Sequence, residues 1–300
     1  MNGGEGLLRP FVLLQPESIT EAVTALAGAG DETRVIGGGT SLMVLMKGGV
    51  YTPSSLISLK RIPGMNRIAT MPDGGTRIGA LVTQRQVESD PVVRSRYPIL
   101  VEAESRVGNV RVRNMATLVG NLTHADYQSD PPPALLVLGA SVEVTGPAGQ
   151  RTIPLKDFFL GPYQTTLQPG EIATAVLLPP PAGGAPGAYL KYTTRSAADR
   201  PCVGVAVQLC RNGDVLGRLR VALGAVAGVP WLVEGLEEKV RQRPLTAELL
   251  AEIGHLAAAG VEPLSDLRGS AGYKKQMISV FVRRAIAQAW EKAGLCQEVS

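Results

Sequence analysis

The sequence feature that most restricts the fold is a run of three consecutive glycines between a short apolar strand and an apolar turn. It reads Val35-Ile36-Gly37-Gly38-Gly39-Thr40-Ser41-Leu42. A glycine backbone can approach a ligand closely and can adopt positive φ angles, and its exposed N–H groups can bind an anion. The hydroxyls of Thr40 and Ser41 can cap the helical turn that follows or donate to that anion. Because neither G-x-G-x-x-G nor G-K-[ST] occurs here, the pattern predicts either a phosphate-binding loop or an ordinary strand-to-helix turn.

The composition indicates a globular chain. Its 300 residues, 45% of them hydrophobic, are enough for one large domain or two ordinary ones with a sizeable core. No apolar run approaches the roughly 20 residues of a membrane span. The Gly-rich segment from Met1 to Gly6 also lacks the features of a signal peptide. We therefore expect a cytoplasmic chain without a membrane span.

The cysteines and histidines are too few and too scattered to form a metal site. Cys202, Cys210 and Cys296 are odd in number, and His124 and His255 are the only histidines. The sequence therefore predicts no iron–sulfur cluster, zinc site or disulfide framework. The net charge of +4 is spread along the chain. It suits a phosphate-bearing ligand or an acidic partner, and we predict no nucleic-acid partner.

A proline- and glycine-rich connector from Pro179 to Gly187 is the clearest boundary in the chain. Short predicted strands and helices alternate before it. After it, three strands are predicted at residues 189–194, 203–210 and 215–226, and the last part of the chain has the apolar periodicity of helices.

A second distinctive segment extends from Val107 to Leu122 and carries two glycines and several side chains that bond to backbone. This composition predicts an extended loop along a ligand in preference to a regular helix. Within it, Arg111 and Arg113 alternate with valines, which also fits the outward face of a strand. Further on, Asp130 precedes three prolines, the typical beginning of a helix with Asp130 as N-cap.

Taken in order, these motifs resemble those of the FAD-binding (medium) subunits of the molybdenum hydroxylase family, which includes carbon monoxide dehydrogenase and the bacterial xanthine dehydrogenases. The segment Ile36–Leu42 is similar to the first FAD-binding motif, and Thr117-Leu118-Val119-Gly120-Asn121 to the second. The resemblance covers roughly residues 10 to 225. Further matches are the segment from Asn121 to Pro132, Asp157-Phe158-Phe159, Gly170-Glu171-Ile172 and Tyr189-Leu190-Lys191.

The resemblance implies an α+β fold. A para-cresol-methylhydroxylase-type FAD-binding domain would occupy residues 1–180, with subdomains at about 1–62 and 63–180. A C-terminal α+β domain, a three-stranded antiparallel sheet with helices, would occupy residues 188–300. FAD would lie between the two subdomains, with its pyrophosphate on the two glycine-bearing loops.

The resemblance also implies which residues bind the cofactor. Asp130 would accept hydrogen bonds from ribose hydroxyls, although a helix N-cap is the simpler role and both can hold. Lys191 would lie near the flavin, or else on a solvated strand face, and His124 would belong to the FAD loop or be a plain loop histidine. The full predicted set is Ile36, Gly37, Gly38, Gly39, Thr40, Ser41, Leu42, Thr117, Leu118, Val119, Gly120, Asn121, His124, Asp130, Ile172 and Lys191.

Two positions depart from the family pattern. Val119 stands where the family usually has glycine, and Tyr127 where proline is common. A β-branched residue does not readily adopt a positive φ. We therefore expect close approach of the backbone to the pyrophosphate to be restricted at Val119, with weaker FAD binding as the consequence.

The function implied by the resemblance is electron transfer within a complex. Electrons would come from a large molybdopterin-binding subunit through a small [2Fe-2S] subunit, and would pass through FAD to NAD, a quinone or oxygen. No catalytic residue and no metal ligand is predicted in this chain, since the redox chemistry belongs to the flavin. The alternatives are a self-sufficient flavin reductase of the same fold and a non-catalytic nucleotide-binding assembly subunit.

Overall fold

The computed structural model of the chain describes residues 8–183, 185 and 187–293. Met1 to Gly6, Cys296 and two residues of the connector, Gly184 and Pro186, lie outside these ranges. The described strands are β1 (Val12–Leu14), β2 (Thr33–Ile36), β3 (Ser55–Ser58), β4 (Ile68–Thr70), β5 (Thr76–Gly79), β6 (Ser141–Gly146), β7 (Gly149–Pro154), β8 (Phe159–Gly161), β9 (Gln164–Thr165), β10 (Ile172–Leu178), β11 (Ala188–Tyr192), β12 (Val203–Asn212), β13 (Val215–Gly224) and β14 (Trp231–Leu232). The helices are α1 (Ile19–Gly28), α2 (Leu42–Lys47), α3 (Gln84–Ser89), α4 (Pro91–Arg96), α5 (Pro98–Ser105), α6 (Val110–Met115), α7 (Leu118–His124), α8 (Pro131–Leu138), α9 (Leu236–Val240), α10 (Ala247–Ala259) and α11 (Ala271–Lys292).

The first sheet is parallel, with the strand order β1-β3-β2. Helix α1 connects β1 to β2 and is capped by the Ser18 side chain, which accepts a hydrogen bond from the Glu21 N–H. The cap satisfies one of the free N–H groups of the first helical turn. Strand β2 ends at Ile36, and the three glycines follow directly. The predicted strand-to-helix turn is therefore present, with α2 beginning at Leu42.

A five-stranded antiparallel sheet follows, in the order β4-β5-β10-β6-β7. Strand β10 is its central strand and is almost entirely buried. Strands β6 and β7 form a hairpin, with Gly146 opposite Gly149. One hydrophobic core joins this sheet to helices α3, α5, α7 and α8.

The C-terminal sheet has four strands, in the order β11-β12-β13-β14, and packs against α10 and α11 around a second core. Three strands were predicted for this sheet, and the structure adds a fourth, β14. The fourth strand, Trp231–Leu232, is only two residues long and pairs with Leu223 and Ala222 of β13. A strand of two residues is too short to show the alternation that identifies a strand in sequence.

Helix α8 is apolar on every side because it lies between the two parts of the molecule. All of its residues from Pro131 to Leu138 are buried. It packs against α5 on one side and against β12 and β13 of the C-terminal sheet on the other. A helix enclosed in this way has no solvent-facing polar stripe.

The segment from Val107 to Leu122 is mainly helical, so the prediction of an extended loop there was wrong, as was the strand alternative for Arg111 and Arg113. The polar side chains that suggested a loop cap two short helices. The Asn109 side chain accepts hydrogen bonds from the first turn of α6. The Thr117 side chain accepts one from the Gly120 N–H in α7. Asn and Thr favour caps for the same reason that they favour loops.

In the described residues, no helix combines the length and the apolar character needed to cross a membrane.

Candidate cofactor-binding site

The first predicted FAD motif packs against the backbone directly before the second motif and against the Thr117 side chain that begins it. A Cβ atom on Gly38 would stand 1.8 Å from the carbonyl oxygen of Met115, and one on Gly37 would stand 3.0 Å from the Thr117 Oγ1. A separation of 1.8 Å leaves no room for any side chain at Gly38. The first glycine loop therefore packs against the residues that open the second motif.

Gly39 has a different requirement, which is conformational. Its φ angle is +74°, in the left-handed region that side chains with a Cβ avoid. A Cβ there would meet only side-chain atoms of Ile36 and Met43, at 3.3 and 3.4 Å. The left-handed turn at Gly39 directs the chain from β2 into α2.

The residues after the glycines begin α2. Ser41 occupies the N-cap position, but its side chain makes no capping hydrogen bond. The alternative that Ser41 caps the helix is therefore wrong for its side chain. Thr40, Ser41 and Leu42 are all partly exposed. The Ser41 hydroxyl is consequently available to an anion at this loop.

Helix α7 carries the second motif and contains an unpaired polar atom. The Thr117 Oγ1 lies 3.1 Å from the Gly120 nitrogen that it caps. One residue later, the Oδ1 atom of Asn121 is buried and has no hydrogen-bond partner among the described residues. A buried acceptor without a donor is unfavourable. The site therefore fits a ligand that supplies the missing donor.

Leu118 and Val119 of the same motif are buried inside the protein. Both belong to the first hydrophobic core, where Ile172 of β10 is also buried. Val119 lies inside a regular helix and has no positive φ. The argument from a positive φ therefore does not apply at Val119, whose side chain is a packing group of α7, and its effect on FAD binding stays a prediction.

A buried ion pair links Asp130 to the C-terminal sheet. Its Oδ2 atom lies 2.9 Å from the Lys191 Nζ, and both side chains are nearly inaccessible to solvent. The Tyr189 hydroxyl donates to the other oxygen at 2.7 Å. Lys191 also donates to the Arg106 carbonyl oxygen at 2.9 Å. Asp130 occupies the predicted N-cap position of α8, but its side chain makes no capping bond to the helix. The solvated-face alternative for Lys191 is wrong, because its side chain is buried.

The surroundings of Asp130 change its acidity. Burial raises the pKa of Asp130 to about 6, although Lys191 and the Tyr189 hydroxyl act in the opposite direction. Burial and the neighbouring carboxylate raise the pKa of Tyr189 well above its ordinary value. Tyr189 therefore stays protonated and donates to Asp130.

His124 ends α7 and packs beside an aromatic ring, tilted by 55° to it. Its ring centroid lies 5.2 Å from that of Tyr163. Burial lowers the pKa of His124 below its ordinary value, despite the nearby Asp126 carboxylate. The imidazole is consequently neutral at pH 7.

Sequence reasoning missed three buried polar groups in this region. Tyr189 could have been found, because residues 189 and 191 of a strand share one face. Glu104 of α5 and Gln84 of α3 carry no such signal. Both are fully buried. Among the described residues, neither the two carboxyl oxygens of Glu104 nor the amide oxygen and nitrogen of Gln84 have a hydrogen-bond partner.

Comparison with known proteins identifies the family. The family described as "FAD binding domain in molybdopterin dehydrogenase" matches residues 9–181, and "CO dehydrogenase flavoprotein C-terminal domain" matches residues 188–289. The chain belongs to the flavoprotein (medium-subunit) family of the molybdenum hydroxylases. Like its relatives, it is an oxidoreductase subunit that binds FAD.

Individual members of the molybdenum hydroxylase family match over nearly their whole length. The carbon monoxide dehydrogenase medium chain of Hydrogenophaga pseudoflava is 34% identical, over 92% of this chain and 96% of that protein. The glyceraldehyde dehydrogenase medium chain of Sulfolobus acidocaldarius is 30% identical, over 93% and 98%. The solved carbon monoxide dehydrogenase from H. pseudoflava, in a form lacking the Mo-pyranopterin moiety, superimposes with a TM-score of 0.92 at 33% identity, covering 96% of this chain and all of that one. The α+β fold is therefore the family's.

Proposed function

We propose that this chain is the electron-exit subunit of a molybdenum-containing complex. In this proposal it receives electrons from the [2Fe-2S] clusters of a small subunit. Those clusters receive their electrons from a large molybdopterin-binding subunit. The electrons pass through FAD to NAD, a quinone or oxygen. The observation that carries the proposal is the end-to-end match to medium chains of multisubunit dehydrogenases. A cytoplasmic location belongs to the same proposal.

We propose that the two contacting motifs hold the pyrophosphate of FAD. The left-handed turn at Gly39 and the Ser41 hydroxyl support this placement. The unpaired Asn121 oxygen is an acceptor, so it fits a donor elsewhere on the cofactor and not a phosphate oxygen. Two phosphates need several donors and little side-chain bulk, which a glycine loop at a helix start provides. The other proposed contacts are Ile36, Gly37, Gly38, Thr40, Leu42, Thr117 and Gly120, whereas Leu118, Val119 and Ile172 would shape the site from the core.

Asp130 is the proposed partner of the ribose hydroxyls. Lys191 is the counter-ion that stabilises the negative charge of the Asp130 carboxylate. The 2.9 Å ion pair and the bond from Tyr189 fix the carboxylate in one orientation. His124, neutral and beside Tyr163, would be a further neighbour of the cofactor. FAD supplies the redox chemistry when bound, and these residues bind and orient it.

The domain division remains part of the proposal. The FAD-binding domain would comprise residues 1–180, with subdomains at about 1–62 and 63–180, and the C-terminal domain residues 188–300. The first two sheets fall on either side of residue 62, and the third begins at residue 188. The two family matches meet at the same connector.

Purification of the chain from its native source tests the function. We expect it to co-purify with a larger and a smaller subunit, with about one FAD per chain, the ratio of a resident cofactor. A monomer of 31.5 kDa that oxidises an organic substrate without partners would instead support a self-sufficient flavin reductase. A complex without flavin would support the non-catalytic assembly subunit.

A further inference from the structure

The loop between α7 and α8 joins the second FAD motif to Asp130 and is short and tightly bonded. We call residues 125–130 the connecting loop. It begins at Ala125, which is left-handed with φ at 51°. Inside the loop, Asp126 accepts hydrogen bonds from the N–H groups of Gln128 and Ser129. The position of Asp130 therefore depends on how this loop is held.

Most of the side-chain bonds to the connecting loop come from the C-terminal part of the chain. The Asp266 Oδ2 atom accepts a hydrogen bond from the Gln128 Nε2 at 2.9 Å and lies 3.4 Å from the Tyr127 hydroxyl. The Arg268 Nη1 atom donates to the Gln128 Oε1 at 3.2 Å. Both ends of the Gln128 amide are thus bonded to one short C-terminal segment.

Lys274 of α11 holds the segment that contains Asp266 and Arg268. Its side chain is fully buried, and its Nζ atom lies 2.8 Å from the Asp266 Oδ2. The same nitrogen donates to the Ala225 carbonyl oxygen at 3.0 Å. The Ala225 N–H in turn donates to the Tyr127 carbonyl oxygen. The ammonium group therefore supports the loop both through Asp266 and through the backbone at Ala225.

The outer side of the loop is closed by a third connection. The Arg268 Nε atom donates to the Arg200 carbonyl oxygen at 3.2 Å, and the Arg200 Nε atom lies 2.7 Å from the Asp126 Oδ2. This pair is partly exposed, so it contributes less than the buried one. The bonds to Gln128, the support from Lys274 and the chain from Arg268 through Arg200 to Asp126 therefore restrict the conformation of the connecting loop together.

The charge of Asp266 is stabilised where it lies. Burial acts to raise the pKa of Asp266, but the bonds from Lys274 and from the Arg268 N–H keep it below its ordinary value. Asp266 therefore remains ionised at neutral pH and accepts from Gln128. Removal of Lys274 would leave a partly buried carboxylate without its counter-ion.

We propose that Asp266, Arg268 and Lys274 form a clamp that positions the connecting loop for FAD. In this role the C-terminal segment touches no part of the cofactor and acts through Gln128 on the position of Asp130. The inference rests on the proposed FAD contact of Asp130. Supporting bonds of this kind hold a binding group such as Asp130 close to one position, and tight binding requires that precision.

The experiment measures the dissociation constant of FAD for four variants of the full chain. Gln128→Leu removes both amide bonds, Lys274→Met removes the buried ammonium, and Lys274→Arg retains a cation. Lys275→Met is the matched control, because Lys275 neighbours Lys274 on α11 but forms an exposed pair with Glu262. FAD binding is followed by the quenching of flavin fluorescence, and folding by circular dichroism of the flavin-free protein.

We expect Gln128→Leu and Lys274→Met to raise the dissociation constant of FAD by about tenfold or more, the scale for misplacing a binding group. Lys275→Met should stay within about twofold of the wild type. Lys274→Arg should fall between the wild type and Lys274→Met, because it keeps the cation but not the geometry of the ammonium group. If Lys274→Met does not fold, Gln128→Leu decides alone, because it leaves the ion pair of Lys274 and Asp266 intact.

The inference is overturned if folded Gln128→Leu binds FAD as tightly as the wild type. A lower unfolding temperature with unchanged FAD affinity would likewise show a purely structural clamp and overturn it. A wild-type chain that binds no FAD would contradict the proposed function itself, a result distinguishable from both.

Discussion

The Cα atom of Gly38 is so close to the carbonyl oxygen of Met115 that a Cβ would stand 1.8 Å from that oxygen. The neighbouring Cα of Ala116 would be 2.9 Å away. These contacts are between backbone segments, which cannot rotate aside as a side chain can. The first glycine loop and the beginning of the second motif are therefore a single packed unit, and the spacing between them depends on the absence of one Cβ.

Gly38→Ala should separate these two segments. We expect it to destabilise the fold by about 1–3 kcal/mol, the range for forcing an extra carbon into a packed region, and to lower the FAD content of the purified chain. Thermal unfolding and the flavin absorbance per chain check both. Gly28→Ala is the control, because a Cβ there would meet nothing within 4 Å. Unchanged FAD content in Gly38→Ala would show that the packing of the two loops does not position the cofactor.

Val119→Gly should weaken the chain and should not improve FAD binding. The side chain is 3% exposed and packs in the core, and glycine inside a helix adds a further cost. We expect a loss of about 2–4 kcal/mol in the free energy of unfolding, measured by urea denaturation. Tighter FAD binding by this variant would support the sequence-based expectation that Val119 obstructs the cofactor.

FAD affinity should fall as the pH is lowered through about 6, where the buried Asp130 becomes protonated and is a weaker acceptor for a ribose hydroxyl than the carboxylate. Asp130→Asn should bind weakly and lack this pH step. Lys191→Met should move the step to higher pH, because Lys191 lowers the pKa of Asp130. Fluorescence titration with FAD at several pH values measures the step.

The contribution of Asp130 to folding stability changes with pH in the opposite direction to its contribution to FAD affinity. FAD binding and unfolding must therefore be measured separately. Because burial raises its folded-state pKa from 3.8 to about 6, its contribution is fully present below pH 3.8 and is lost as the pH rises through about 6. A step in FAD affinity that persists unchanged in Asp130→Asn would rule out this carboxylate as its source.

Glu104→Gln should be well tolerated and should change the pH dependence of stability. Burial, with the nearby Asp130 and Glu88 carboxylates, raises the pKa of Glu104 well above its ordinary 4.5 despite the nearby Arg113, so the acid is protonated in the folded chain. As the pH rises from the unfolded-state pKa of Glu104 to its raised folded-state pKa, the wild type should lose free energy of unfolding relative to Glu104→Gln. The loss should be up to about 1.4 kcal/mol per pH unit. Urea unfolding of both proteins at a series of pH values above 4.5 tests this. A stability difference between the two proteins that does not change with pH would contradict a neutral Glu104.

Local patterns identified most elements and both glycine motifs. Thr83, for example, caps α3 through a capping box with Gln86, a signal that sequence can carry because a cap depends only on residues close in sequence. The helical state of α6 and α7 was missed, since Asn109 and Thr117 favour loops and caps alike. Local sequence does not distinguish these two uses.

The partners of the site residues depend on long-range contacts and were largely out of reach. Asp130 precedes three prolines and looks like an N-cap, yet its side chain bonds to Lys191 and Tyr189 about 60 residues away. Likewise, Gly38 looks like a ligand-approach glycine, but its close neighbour is the backbone of Met115. Glycine marks close approach without specifying what approaches.

The most direct test of the account is electron flow through the assembled complex with and without FAD in this chain. The complex is purified from its native source, half of it is depleted of FAD, and a chemical reductant is added in a rapid-mixing spectrometer. The account predicts that the iron–sulfur absorbance bleaches in both samples, while an external acceptor is reduced only by the FAD-loaded one, and that added FAD restores the depleted sample. Equal acceptor reduction by both samples would contradict it.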